Sequence, residues 1–192
     1  MYITLATRRD QVDYINEKKL AELPGEEFVS EGIIEGDVPE SSLPTQRELS
    51  LKEHAQVIFI KNDRSGRWVN GTIGIISGID EEGHVFVLLD DGSEYSLEFE
   101  EWENCRYRYN EKEKRIETEV IGTFKQLPIR LAWAVTVHKS QGLTFNRVVV
   151  DLTGGVFAGG QVYVALSRCT SMEGMVLRGK ITQRDIFVRK EI

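Results

Sequence analysis

The sequence predicts an α/β protein in which a parallel sheet, with helices on both faces, is interrupted by a small β-barrel. Helical and strand patterns alternate at both ends of the chain, as they do in parallel sheets covered by helices. From residue 70 to about residue 124 the chain contains only short strands and tight turns. Hydrophobic residues make up 41% of the 192 residues and charged residues 29%, so the composition supports a packed core.

The first part of the chain predicts a strand, a helix, an irregular segment and a second strand. YITLAT (2–7) has the pattern of a short buried strand. The helix that follows ends at Pro24 and Gly25, and its apolar residues lie on or near one face: Val12, Ile15, Leu20 and Leu23. Residues 26–50 are acidic and irregular, and AQVIFIKN (55–62) is the next buried strand.

The middle of the chain, residues 72–124, is the predicted insertion. Strand-like runs such as HVFVLLDDG and KRIETEV are separated by turn sequences such as DEEG and NEKE. About five short strands in about 55 residues indicate a small barrel of the SH3-like or OB-like kind.

The last part of the chain returns to alternation. LAWAVTVHKSQG (131–142) and GGQVYVALSRC (159–169) predict helices, and RVVVDL (147–152) and MVLRGKI (175–181) predict strands. TQRDIFVRK (182–190) predicts a last short helix with Thr182 as its N-cap. Residues 1–71 and 125–192 therefore form one discontinuous α/β domain.

Charge and cysteine content limit the function. A net charge of −7 and a pI near 5.1 argue against a protein that binds nucleic acid with its whole surface, although a local cationic strip remains compatible. Cys105 and Cys169 lie far apart, which argues against a disulfide scaffold or a metal site and fits a reducing compartment. No apolar run approaches the length of a membrane span, so we expect a cytoplasmic protein with no membrane partner.

The segment VHKSQG (137–142) gathers polar side chains and a glycine before the predicted strand RVVVDL. In α/β sheets the loops at strand ends carry ligands. Lysine offers a point charge, serine an oriented hydroxyl and glycine a close backbone approach, so the segment is suited to binding phosphate. The alternative is a solvated helix end, where lysine is common and glycine terminates the helix.

A second segment, GQVYVALSRCTSMEG, changes the interpretation of the first because its helix projects Arg168 from its end. Together, HKSQGLT and YVALSR resemble motifs V and VI of superfamily-1 helicases, in the RecD-like group that includes the "petite integration frequency" (Pif) helicases. TLATRRDQVDYIN resembles motif IV of that group, and GRWVNGTIGII resembles its entry into an SH3-like insertion. The resemblance covers nearly the whole chain and is weak at residues 26–50.

The resemblance implies the second RecA-like domain of an ATP-dependent DNA helicase, with an SH3-like β-barrel inserted in it. A first RecA-like domain is expected to precede Met1. The chain itself has no complete Walker A or Walker B motif, since GMVLRGKI (174–181) ends in Ile181 where a P-loop needs Ser or Thr. VFVLLDDG (85–92) is better explained as a hairpin turn. Alone, the chain is predicted to bind no cofactor and to be inactive.

The resemblance also assigns roles to individual residues. Arg168 is implied to be the arginine finger, which stabilises charge on the γ-phosphate of ATP held by the other domain. Gln141 and Gly142 are implied to lie nearest the nucleotide. The residues implied to contact the DNA backbone are Thr7, His138, Lys139 and Ser140. A contact to nucleotide by Arg8 or Arg9 remains an alternative, and no residue is assigned to a metal.

The implied mechanism is alternating closure of two RecA-like domains on ATP and Mg²⁺, which moves the enzyme along single-stranded DNA. Phosphate contacts give affinity without reading sequence. The group implies 5′-to-3′ movement, roles in DNA repair and recombination, and association with the nucleoid in a bacterium. The alternative is a free-standing module without catalysis that binds nucleic acid or a protein, and the acidic residues 94–103 favour a protein partner on that face.

Overall fold

The computed structural model describes residues 1–111 and 113–186. Within these ranges the chain forms two α-helices, α1 (Arg9–Glu22) and α2 (Gln161–Leu166), and short 3₁₀ helices at Glu40–Ser42 and Gln183–Asp185. The strands are, in chain order, β1 (Ile3–Ala6), β2 (Phe28–Glu31), β3 (Ile33–Gly36), β4 (Glu48–Leu51), β5 (Gln56–Phe59), β6 (Ile73–Ile79), β7 (Val85–Leu89), β8 (Glu94–Ser96), β9 (Glu100–Asn110), β10 (Arg115–Gln126), β11 (Ile129–Leu131), β12 (Ala134–Thr136), β13 (Val148–Asp151) and β14 (Met175–Arg178).

The parallel sheet has the strand order β12-β1-β13-β14. Alternate residues of its strands point to opposite faces. On one face Ala6 and Ala134 pack against Val12 of α1, and on the other Leu5 and Val150 share a cluster with Ala165 of α2. Helices therefore cover both faces, and the predicted α/β class is confirmed.

The antiparallel strands form three further sheets, ordered β11-β5-β6-β7-β8, β3-β10-β9 and β2-β4. Among the described strands no ladder closes these sheets into a barrel, so the SH3-like assignment stays a prediction. The five-stranded sheet includes β5 and β11, which lie outside the predicted insertion at residues 72–124.

The core of the five-stranded sheet crosses both predicted ends of the insertion. Phe59 and Ile129, from outside residues 72–124, are fully buried in one cluster with Ile76 and Val87 from inside it. Trp68 stacks on Phe59 with ring centroids 4.4 Å apart. The division at residues 72 and 124 stays a prediction, but the sheet and its core continue past both positions.

The helix predicted over residues 131–142 is wrong. The segment contains the end of β11, strand β12 and then a series of turns over residues 137–142. The reason is tertiary, because the Thr4 N–H donates to the Trp133 carbonyl and the Asn16 side chain bonds both the N–H and the carbonyl of Ala134 at 2.9 and 3.0 Å. These partners lie more than a hundred residues away, so the local helical pattern does not reveal them.

Residues 26–50 are ordered rather than irregular, because they contain β2, β3 and β4. Gln126, at the end of β10 and with no exposed surface, holds this region in place. Its carbonyl oxygen accepts from the Ser30 hydroxyl at 2.7 Å, and its amide donates to the carbonyls of Ser30 and Arg47, both at 2.9 Å. A buried amide with all these partners fixes the position of the strands around it.

The predicted last helix starts where it was expected. Thr182 precedes the 3₁₀ helix at Gln183–Asp185, and both its backbone N–H and its hydroxyl lie 2.7 Å from one Asp185 carboxylate oxygen. The remainder of that predicted helix, residues 187–190, lies outside the described residues.

Replacing Gln126 with Ala is expected to lower the free energy of unfolding by about 3 kcal/mol, because several buried polar groups lose their partners together. Ser30→Ala removes one of these bonds and is expected to cost about 1 kcal/mol. Urea denaturation followed by circular dichroism measures both values. Equal losses in the two variants would show that the Gln126 amide contacts do not stabilise residues 26–50.

Candidate functional site

The carboxyl ends of the parallel strands bring the candidate residues to one edge of the sheet. Thr7 follows β1, the segment 137–145 follows β12, and Asp151 ends β13. The connection after β1 runs through α1 on one face, and the connection after β13 runs through α2 on the other. In such sheets ligands bind where neighbouring connections leave in opposite directions. This edge is therefore the expected position of a site.

The segment 137–142 forms a tight, internally bonded loop after β12. Ser140 donates its backbone N–H to the Thr136 carbonyl at 3.1 Å and its hydroxyl to the Val137 carbonyl at 2.7 Å. His138, Gln141 and Gly142 are exposed on the outside of the loop. Ser140 is fully buried, so in this structure its hydroxyl stabilises the loop, and its contact to DNA stays a prediction.

Gly142 has a φ of +78°, in the left-handed region that disfavours a side chain. No atom lies within 4 Å of where a Cβ would be, so the restriction there is conformational rather than steric. The backbone at Gly142 is consequently open to a close approach from outside, as expected for a phosphate-binding loop.

Lys139 lies in a locally electropositive environment. It is exposed at the residue level, yet partial desolvation of its ammonium group and the nearby charges of Arg130 and Arg9 lower its pKa to about 8. Asp13 opposes this shift. An ammonium group with a lowered pKa beside other cations is a favourable site for an anion.

Arg168, at the end of α2, is hydrogen-bonded within its own domain. Its Nε donates to the Val164 carbonyl at 3.0 Å, its Nη1 to the Leu143 carbonyl at 3.0 Å and its Nη2 to the Ser167 hydroxyl at 2.8 Å. The backbone N–H of Phe145 also donates to the Arg168 carbonyl at 2.8 Å. The structure thus brings Arg168 against the segment that contains Gln141 and Gly142.

Thr7 is a buried polar residue at the end of β1, next to β13. It is only 4% exposed, and its hydroxyl has no hydrogen-bond partner among the described residues; the same is true of the Gln11 side-chain oxygen. A Cβ at Gly154 would meet these two oxygens at 3.0 and 2.9 Å, so a larger residue there would require the Thr7 or Gln11 side chain to shift. A buried polar atom without a protein partner is unusual in a folded protein.

Asp151 lies at the end of β13 and is hydrogen-bonded to Gln11. Burial raises the pKa of its carboxyl, but hydrogen bonds from Thr153 and Gln11 and the charge of Arg178 outweigh burial, so the pKa is lowered. The Gln11 amide donates to Asp151 at 2.9 Å, and an Arg178 guanidinium nitrogen lies 3.2 Å from it. The carboxylate is therefore ionised and holds the exposed Arg178 at this edge.

Arg8 and Arg9, the alternative candidates, are both at the surface. Arg8 makes a two-pronged ion pair with Asp10, with both distances 3.0 Å, and Arg9 lies 3.8 Å from Asp13. Of the two, only Arg9 acts on Lys139.

Several residues at this edge were not found from the sequence: Gln11, Arg130, Asp151 and Arg178. Asp151 and Arg178 did carry a signal, since each is a charged residue at the carboxyl end of a predicted strand. Arg130 carried none, and it is linked to the site only by the effect of its charge on Lys139.

Asp80, Glu82 and His84 place their ligand atoms within 4.8 Å of one another in an exposed turn. Asp80 already accepts from the backbone N–H groups of Glu82 and His84 at 3.0 and 2.8 Å and contacts the His84 ring. These contacts show that the three residues stabilise the turn between β6 and β7.

In the described ranges, neither helix is long and apolar enough to cross a bilayer.

Comparison with known proteins identifies relatives over most of the chain. The ATP-dependent DNA helicase PIF1 of Rattus norvegicus is 38% identical over 184 residues, covering 89% of this chain and 26% of that protein. The ATP-dependent DNA helicase Pif1 of Bdellovibrio bacteriovorus is 35% identical over 180 residues, covering 91% of this chain and 38% of that protein. The chain therefore spans well under half the length of these curated relatives. No protein-family model matches it.

Solved structures agree with the sequence relatives. The structure of unliganded Pif1 from Bacteroides sp. matches 98% of this chain and 43% of that chain, with a TM-score of 0.86 and 36% identity. The structure of Bacteroides Pif1 bound to ssDNA matches 98% of this chain and 43% of that chain, with a TM-score of 0.76 and the same identity.

The lowered pKa of Lys139 predicts a specific pH dependence of stability. Between about pH 8 and the ordinary lysine pKa, the unfolded chain retains this proton and the folded chain has lost it, so folding is favoured as pH rises. Lys139→Met should therefore stabilise the protein at pH 7, by about 1 kcal/mol after allowance for solvent screening, and by less at pH 10. Urea denaturation at both pH values measures the difference. A destabilising effect of Lys139→Met that is independent of pH would contradict the electropositive environment.

Proposed function

The chain belongs to the Pif1 family of superfamily-1 DNA helicases, and on that basis we propose that it is the second RecA-like motor domain of an ATP-dependent DNA helicase. The observation that carries the proposal is the set of hydrogen bonds that joins residues 143–145 to the end of α2. These bonds connect the loop suited to phosphate with Arg168, as a domain that couples DNA contact to ATP requires.

The DNA side of the proposal rests on the edge of the parallel sheet. Lys139 supplies positive charge there, and Thr7 supplies a buried hydroxyl without a partner among the described residues. Exposed His138 lies on the same loop. These groups recognise phosphate rather than bases, so binding is expected to be independent of sequence. Support comes from a family member, Bacteroides Pif1, whose structure bound to ssDNA resembles this chain.

The nucleotide side rests on Arg168, with Gln141 and Gly142. ATP with Mg²⁺, bound mainly by a P-loop domain elsewhere in the same polypeptide, would supply the phosphoryl group. Arg168 fits such a ligand because its guanidinium is only partly buried and Nη2 bonds an exposed hydroxyl. When it turns outward, it gives up its bond to the Leu143 carbonyl and offers charge to the transferring phosphate. A related structure, Bacteroides Pif1 with ADP-AlF4, supports nucleotide use in the family.

Loss of the bond between Arg168 and the Leu143 carbonyl would give the domain a way to transmit nucleotide binding to the loop after β12. The Leu143 N–H donates to the Ser140 carbonyl at 3.0 Å, so Leu143 is bonded to Arg168 on one side and to the loop on the other. We propose that this linkage moves the DNA contacts with each ATP cycle, and that translocation is 5′ to 3′ as the family resemblance implies. Roles in repair and recombination and a cytoplasmic location belong to the same proposal.

In a longer polypeptide that contains the P-loop domain, Arg168→Ala is expected to reduce DNA-stimulated ATP hydrolysis by about 10³-fold or more, the effect of removing an arginine finger. DNA binding in the absence of nucleotide should remain. Phosphate release and fluorescence anisotropy with a single-stranded oligonucleotide measure the two properties.

Ser167→Ala is the matched control, because it removes the Nη2 bond of Arg168 and keeps the guanidinium. It should retain ATP hydrolysis within about tenfold of wild type, a change of about 1.4 kcal/mol in the barrier. If Arg168→Ala costs no more than Ser167→Ala, Arg168 has only a structural role.

The DNA side predicts an electrostatic and sequence-independent effect of Lys139. Lys139→Ala should lower affinity equally for two unrelated single strands and should flatten the plot of log affinity against log salt by about 0.7, the slope for one phosphate. Lys18→Ala, which removes an exposed lysine from the second half of α1, is the control and should leave the slope unchanged. Unchanged affinity and slope in Lys139→Ala would remove Lys139 from the DNA interface.

A further inference from the structure

A cavity lies where the end of α1 meets the five-stranded sheet. Its volume is about 480 Å³, comparable with the pockets in which proteins bind small ligands. It is formed by the chain just beyond α1, the start of β2, the turn between β4 and β5, and the end of β6. Leu20 and Leu23, at the end of α1, belong to the core of the five-stranded sheet, so the surroundings of the cavity are firmly packed.

The cavity is remote from the edge of the parallel sheet that carries the candidate site. Val12, in the first turns of α1, packs against Ala6 at the end of β1. Asn16, one turn later, bonds Ala134, whose partner in β1 is Thr4. The helix therefore runs back along the sheet, and its 14 residues span about 20 Å. The cavity and the loop after β12 consequently lie at opposite ends of α1.

The inner wall of the cavity is apolar. Phe28 and Ile79 are partly buried and pack against the core of the five-stranded sheet, and Pro24 adds a third apolar side chain. A Cβ at Gly83 would lie 3.3 Å from the Phe28 ring, so the turn between β6 and β7 closes one side. Such a wall favours the carbon stem of a long side chain, whose apolar surface is removed from water there.

The outer rim of the cavity is acidic. It consists of the exposed side chains of Glu26, Glu27 and Glu53, and none of these carboxylates has an ion-pair partner in the described part of the chain. The carboxyl end of α1 adds partial negative charge, and the chain already places one ammonium group there, since Lys52 donates to the Leu23 carbonyl at 3.1 Å. The rim is therefore suited to a cation that enters from solvent.

We propose that this cavity binds a basic segment of a partner protein. An arginine of that segment would lay its carbon stem against Phe28 and Ile79, and its guanidinium would lie among the carboxylates of the rim. Charge complementarity decides the kind of partner, because an acidic rim repels nucleic acid and attracts a cationic peptide. A guanidinium suits the rim better than an ammonium, since its planar donors bond carboxylates on two sides.

This inference goes beyond the proposed function and does not depend on it. The cavity uses none of the residues assigned to DNA or nucleotide. Because α1 separates the cavity from the carboxyl edge of the parallel sheet, a basic partner and a DNA strand would bind at the same time.

The test uses a capped peptide, Gly-Leu-Arg-Leu-Gly, and methyl NMR of the isoleucine side chains of this chain. The peptide should shift the Ile79 signals and leave those of Ile3, which is buried in the parallel sheet, unchanged. One anchored side chain is expected to give a Kd on the order of 1 mM or below. The same peptide with citrulline in place of arginine keeps the shape, loses the charge and should bind about tenfold more weakly.

Variants of the rim measure the contribution of each carboxylate. Glu27→Gln and Glu53→Gln should each weaken binding about threefold, as expected for one exposed ion pair, and the triple variant that adds Glu26→Gln should lose about tenfold or more. Glu40→Gln removes an exposed glutamate that does not line the cavity, and it should bind as wild type does. All four side chains are exposed, so circular dichroism should show that every variant folds.

Each contrary outcome has a definite meaning. If the citrulline peptide binds as tightly as the arginine peptide, or if about 5 mM peptide leaves Ile79 unshifted, the cavity does not bind a cationic side chain. If spermidine displaces the peptide at lower concentration than free peptide does, the site belongs to a small polyamine and the protein partner is ruled out. If an oligothymidylate displaces the peptide, the two sites are not separate and the inference is overturned. A chain that binds the peptide but no oligothymidylate would contradict the proposed function alone.

Discussion

A single stretch of chain, residues 129–136, takes part in both main sheets. Its first half pairs with β5 in the five-stranded antiparallel sheet, and its second half pairs with β1 in the parallel sheet. Gln56, at the start of β5, joins this stretch to the chain just before β1, since its amide donates to the carbonyls of Ala132 and Tyr2 at 2.7 and 2.9 Å. The buried amide must keep both partners, so it holds the two sheets together at this junction, and the position of the loop that follows β12 depends on it.

The position of the loop after β12 depends on this junction, and the loop is in turn hydrogen-bonded to the end of α2. Ser140 closes the loop from inside, and the Leu143 carbonyl accepts from Arg168. Backbone bonds of Phe145 to Arg168 and Thr170 complete the connection. A displacement of Arg168 is therefore transmitted to the loop through a few short hydrogen bonds.

The distribution of charge in this protein differs from what the net charge suggests. The acidic residues lie largely on exposed strands and turns, whereas Lys139, in the loop after β12, is under the influence of the positive charges of Arg130 and Arg9. These charges and partial burial make the charged form of Lys139 less favourable, so its pKa is lowered to about 8. Such local concentration of unpaired charge is typical of functional sites, because folding alone does not favour it.

The sequence by itself determined the α/β class, the helix α2, the strands β1, β13 and β14, and the Thr182 helix start, because each depends on local periodicity or capping. The sequence also contains HKSQG and YVALSR, which together resemble motifs V and VI of superfamily-1 helicases. The tertiary structure alone decided that residues 134–136 are a strand, since Asn16 and β1 supply the partners, and that residues 26–50 are ordered around Gln126. It alone showed that the charge of Arg130 acts on Lys139, because nothing in the local sequence relates these two residues.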